Sequence, residues 1–93
     1  MADPILKRIQ EAIQHGQYVM TLHAEEEMVE DEYTIYDVEN GILTGSIVDQ
    51  QKDAQTGEWK YCIRGDAQGQ GEIETVVKIG ATNKIVILTV YSP

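Results

Sequence analysis

The sequence is short of cysteine, of basic residues and of long apolar runs, and each shortage excludes something. Its single cysteine, Cys62, can close no internal disulfide and cannot build a cysteine zinc cluster. No stretch approaches the roughly 20 consecutive apolar residues of a membrane span, and the N-terminus "MADPILKRIQ" lacks the apolar centre of a secretory signal. Low-complexity tracts and internal repeats are missing. So are the patterns G-x-x-x-x-G-K-[ST] and G-x-S-x-G, and G-x-G-x-x-G in a strand–helix setting. "GQG" at 69–71 reads as a hairpin turn. These absences predict a soluble, cytoplasmic chain with no cofactor and no membrane contact.

Seven Lys and Arg stand against sixteen Asp and Glu, a net charge of −9. The imbalance is local: residues 1–40 hold ten acids and two bases (−8), residues 41–93 six acids and five bases (−1). A negative field of this kind repels nucleic acid and anionic membrane and favours basic partners. The second half, nearly neutral, is where a basic face could form.

The 93 residues make one domain, 1–93, with an N-terminal helix over 1–16 and a second region over 17–93. Asp3-Pro4 is a helix start, with Asp as cap and Pro in the first turn. Ile5, Leu6, Ile9, Ala12 and Ile13 follow at helical spacing, and Gly16 stops the run. "QYVM" at 17–20 reads as an extended connector. Thr21 caps a second helix through residues 22–31, with Leu22, Ala24, Met28 and Val29 as its apolar stripe. Thr34 and Asp37 make a capping arrangement for a short third helix with Ile35, Val38, Ile42 and Leu43 on its apolar side; "NG" at 40–41 lies near its end.

The period then changes from 3.6 to 2. "GSIVDQQ", "EWKYCIRGD", "EIETVVKIGA" and "IVILTVYSP" read as four strands separated by the turns "DAQTGE", "AQGQGE" and "TNK". Helices first and strands last predict an α+β fold, two or three N-terminal helices packed on one face of a four-stranded antiparallel sheet. The last strand, apolar on both sides from Ile85 to Val90, belongs in a central or covered place. Strand parity puts Trp59, Tyr61 and Ile63 on one face and Lys60, Cys62 and Arg64 on the other; Glu74, Val76 and Lys78 likewise oppose Ile73, Thr75 and Val77. With the apolar sets under the helices, Lys60, Arg64 and Lys78 project from the open face, and Tyr91 can join them.

Two groups of residues carry chemistry. In "TLHAEEEMVEDE" (21–32), His23 lies one turn from Glu26 and Glu27, a spacing at which a histidine–carboxylate pair could hold a metal. A site needs about three protein ligands, and no second histidine or cysteine has a matching spacing, so the reading is no metal: a solvated helix face with a half-buried His23. Cys62 reads as a small core or half-buried residue. The set Lys60, Arg64, Lys78 and Tyr91 is the better candidate, because RNA cleavage needs cations against the charge that builds on phosphorus and groups that move protons. The alternative is an ordinary polar sheet face.

"HAEEEM" at 23–28, "TIYDV" at 34–38, "IRGD" at 63–66 and "IVILTVYSP" at 85–93 resemble the small bacterial family known as domain of unknown function 4258. The resemblance spans about residues 18–93. That family is regarded as akin to the RelE, ParE and BrnT toxin-like folds, so the resemblance implies a RelE-like fold and a ribonuclease of a toxin–antitoxin pair, cleaving mRNA on the ribosome without a metal, with an antitoxin protein as partner. It implies catalytic roles for His23, Arg64 and Tyr91, with Lys78 beside them. The chain departs from the family in carrying Glu27 where an arginine is usual, and Asp31 and Glu32 where basic residues and glycine tend to stand. The departure favours the other reading, a catalytically silent acidic descendant that serves as a protein-interaction module.

Overall fold

A computed structural model describes residues 3–69, 71–80 and 82–93. Among them lie three helices and five strands: α1 (Pro4–Gln14), β1 (Tyr18–Met20), α2 (Leu22–Glu30), α3 (Ile35–Thr44), β2 (Ser46–Lys52), β3 (Trp59–Asp66), β4 (Glu72–Ile79) and β5 (Ile85–Tyr91). The turn and strand expected to include Gln70 and Ala81 extend, at those two positions, outside the described residues. No helix of the described residues is long and apolar enough to cross a membrane.

The helix signals act as the sequence suggests. The Asp3 carboxylate accepts from the backbone N–H groups of Ile5 and Leu6 at 3.0 and 3.3 Å, satisfying two donors that the first turn leaves unpaired. Thr34 and Asp37 form a complete capping box on α3. The other Asp37 oxygen accepts from the Gln68 N–H at 2.8 Å, tying the start of α3 to the chain after β3. α3 runs past Asn40 and Gly41 to Thr44, because Gly41 is needed inside it. A Cβ on Gly41 would overlap the Ile73 side chain, and one on Gly65 would overlap the Gly41 carbonyl. Paired glycines thus let α3 lie directly on β3.

The sheet has the order β1-β5-β4-β3-β2. β2 to β5 form the expected antiparallel meander. The expected four-stranded, purely antiparallel sheet is corrected by β1, which pairs parallel with β5 through Tyr18↔Ile85, Val19↔Val86 and Met20↔Ile87. Its three residues are too few to show alternation, which is why the sequence gives only a connector. Its role follows from β5: a strand apolar on both sides cannot stand at an edge, and β1 covers it.

The core is one cluster under the helices. Ile9 and Ile13 of α1, Ala24 of α2, and Val38 and Ile42 of α3 pack on Tyr61, Ile63, Ile73, Val77, Ile85, Ile87 and Val90. α2 contributes less than expected: Ala24 is buried and Met28 is half-buried, but Leu22 and Val29 are each 70% exposed. The second helix reaches β5 through backbone-directed contacts. The Thr21 hydroxyl donates to the Leu88 carbonyl at 3.2 Å, and Glu27 Oε1 accepts from the Val90 N–H at 3.3 Å. Where β1 ends, these two side chains continue the cover of the β5 edge.

Candidate functional site

The open face of the sheet gathers the chemistry. Register fixes its rows: Arg64 lies opposite Glu74, and Glu74 opposite Tyr91; Lys60 lies opposite Lys78; Cys62 lies between Asp49 and Val76. Tyr91 reaches this face through a bulge. The pairing passes from Val77↔Ile87 to Val76↔Thr89, so Leu88 is an extra residue. Unbroken alternation from Ile85 and Ile87 would turn Tyr91 inward; the added residue turns Val90 inward and Tyr91 outward. A second irregularity at Val48 sets Asp49 opposite Cys62 in the same way.

Glu74 is the centre of the group. Its side chain is 6% exposed, and Arg64 Nε and Nη2 both approach Oε1, at 2.6 and 2.5 Å. Cys62 Sγ lies 3.6 Å from Oε2 and 3.5 Å from the Tyr91 hydroxyl. Hydrogen bonding from Tyr91 and the Arg64 guanidinium hold the Glu74 carboxyl below the ordinary carboxylate range, against the cost of burial. Contact with Cys62 and Glu74 pushes the Tyr91 hydroxyl well above its ordinary value. Burial, reinforced by the Glu74 charge, raises the Cys62 thiol. The thiol is therefore not an activated nucleophile. Glu74 is the member of this group that the sequence reading passed over, although parity placed it on the same face; its signal was an acid one strand away from an arginine.

The two lysines are clamped by the β2–β3 turn. Lys60 Nζ lies 3.5 Å from Asp53 Oδ2, and Lys78 Nζ lies 3.2 Å from Glu58 Oε1. The turn is built to present them. Asp53 Oδ1 accepts from the N–H groups of Gln55 and Thr56, the Asp53 N–H donates to the Glu58 carbonyl at 2.8 Å, and Gly57 takes a φ of 74°. Those backbone donors, Thr56 first, lower the Asp53 pKa. Between the rows lies a cleft of about 210 Å³ lined by Asp49, Gln51, Lys60, Cys62, Val76 and Tyr91. That is below the roughly 300 Å³ at which small-molecule pockets usually begin.

Of the sequence candidates, Arg64 and Tyr91 therefore flank Glu74 from the two neighbouring strands, Lys78 sits one row away, and His23 is elsewhere. His23 projects from α2 with its side chain 68% exposed, and its Nε2 lies 3.2 Å from Glu27 Oε1. Among the described residues, no hydrogen bond or ion pair joins it to Arg64, Lys78 or Tyr91. It is exposed rather than half-buried, because Glu27, one turn on, reaches the β5 edge and His23 stands at the solvent rim of that contact. Among the described residues no group of three or more His, Cys, Asp and Glu is arranged to hold a metal.

Helices over one face of a mixed sheet, with a hydrogen-bonded polar network on the other, define an α+β domain whose open face is its distinctive surface. The chain belongs to the family described as Domain of unknown function (DUF4258), whose profile matches residues 20–92. The match begins at the end of β1, so α1 precedes it. No curated protein and no solved structure matches the chain.

Proposed function

We propose that this chain is a toxin-like, RelE-related domain that has become catalytically silent and acts as an acidic protein-interaction module. One observation carries the reading: Arg64, Lys60 and Lys78 of the open face are each matched by a carboxylate, Glu74, Asp53 and Glu58. A phosphate approaching this face meets cations already neutralised, and carboxylates that repel it. The proton-transfer groups are equally committed. Tyr91 is a poor acid at neutral pH, and Glu74 is held ionised by its donors. Glu27, in the place of the family's usual arginine, is bound into the fold through Val90 and His23.

A second reading, a metal-independent endoribonuclease acting on ribosome-bound mRNA and restrained by an antitoxin, is favoured by the convergence of Arg64 and Tyr91 on one carboxylate. Inducing the protein alone in a bacterial host separates the two. The silent module gives soluble protein, normal growth and intact mRNA. Growth arrest with mRNA loss, relieved by both Arg64→Ala and Tyr91→Phe, would establish the nuclease instead.

A further inference from the structure

The outer side of α2 has the opposite character from the sheet. Leu22, Glu25, Glu26, Val29 and Glu30 recur at i, i+3, i+4, i+7 and i+8, which is one helix face. They form an open, shallow surface along the outside of the one helix. Leu22 and Val29, two turns apart, are among the most exposed large apolar residues of the chain, at 70% each. The helix is positioned by its other side, through Ala24, Met28 and Glu27. Among the described residues, Glu25, Glu26 and Glu30 have no ion pair, whereas Glu27 has His23.

We propose that this face of α2 docks an amphipathic helical segment of a partner protein, one that lays an apolar seam on Leu22 and Val29 and brings Lys or Arg to Glu25, Glu26 and Glu30. The proposal rests on the interaction-module reading and names its partner's chemistry. Charge selects the occupant. A second copy packing through this face would bring the same three carboxylates against each other, and nucleic acid or an anionic membrane would be repelled. A basic segment is attracted over distance by the −8 balance of residues 1–40 and held by apolar contact once it arrives. Leu22 and Val29, at i and i+7, form one apolar seam on α2, the spacing by which one helix packs along another. The face is small, so the complex is a transient one.

The probe is a synthetic Leu/Lys peptide of about 18 residues with helical amphipathic spacing. A scramble of the same composition serves as control, and both are titrated while the backbone amides are followed by NMR. The expected result is saturable shifts centred on residues 22–30. Affinity should fall by at least about tenfold for the scramble and for Leu22→Ser/Val29→Ser. It should fall by a similar factor for Glu25→Gln/Glu26→Gln/Glu30→Gln, with most of the salt dependence removed. All these positions are exposed, and unchanged spectra away from α2 confirm that the variants fold. Equal binding of the scramble, shifts centred elsewhere, no binding, or a dimer abolished by Leu22→Ser would each overturn the proposal. Growth arrest on induction overturns the silent-module reading instead, and neither result implies the other.

Discussion

On the open sheet face, Arg64, Lys60 and Lys78 each meet a carboxylate; on the outer face of α2, Glu25, Glu26 and Glu30 meet solvent. The two surfaces belong to halves of the sequence that differ by seven charges, −8 against −1. In the nearly neutral second half, three of the five bases are paired locally, Arg64 through register and Lys60 and Lys78 through the β2–β3 turn. In the first half, Asp3, Asp37 and Glu27 are tied to the fold, while Glu25, Glu26 and Glu30 are unpaired and turned outward. A charge count by segment therefore locates the negative field, but the pairing decides which surface is available to a partner.

The contrast depends on α3 lying on β3, since that packing fixes which side of the sheet is open. Gly65→Ala should break it. The new Cβ meets the Gly41 carbonyl, backbone that cannot rotate away, and the expected loss is about 3 kcal/mol. Denaturant unfolding measures it, and a loss under about 1 kcal/mol would mean that α3 can shift on the sheet at little cost.

Glu74→Gln removes the charge that Arg64 and Tyr91 converge on, at a side chain 6% exposed, and should cost about 2 kcal/mol. The pH dependence gives the sharper test. The Glu74 pKa is lowered from its ordinary 4.5, so its contribution is fully present above that value and is lost as pH falls through the lower folded value. The wild-type protein should therefore lose stability below about pH 4.5 faster than the Gln variant, and parallel curves would show that the network is not charge-stabilised.

How far the sequence carried these features varies with their length. Caps at Asp3 and Thr34 and the four-strand meander are legible because each rests on local residue chemistry or several alternating positions. β1 is not, because three residues hold no period and its pairing is with a strand more than sixty positions later. The site was half legible. Parity puts Arg64, Glu74 and Lys78 on one face, but their partners come from register and from a turn. Tyr91 reaches that face only through the bulge at Leu88, which leaves no mark in alternation. Spacing alone puts Leu22 and Val29 on the apolar stripe of α2, yet both are exposed. The β5 edge, held by the Thr21 and Glu27 side chains, leaves that side of α2 outside.

Within the core, Thr75 is fully buried on β4, and its hydroxyl has no partner among the described residues. Thr75→Val keeps the shape and removes the unsatisfied group, so it should stabilise the fold by about 1 kcal/mol. Thermal unfolding at constant pH reads the gain; a loss would show that the hydroxyl is satisfied in solution.

The smallest expected effects lie where the two surfaces meet, along the β5 edge and α2. Glu27→Arg reverses the charge at the position where the resemblance implies an arginine. It removes the acceptor of the Val90 N–H and sets a cation beside His23, for a cost of about 1 kcal/mol at this half-buried position. Glu30→Gln, two turns from His23 on the exposed face, should change stability by no more than about 0.5 kcal/mol. The pair of measurements tests whether acidic residues on one helix serve two purposes. Glu27 would be structural and Glu30 would be free for a partner, and equal costs at both positions would erase the distinction.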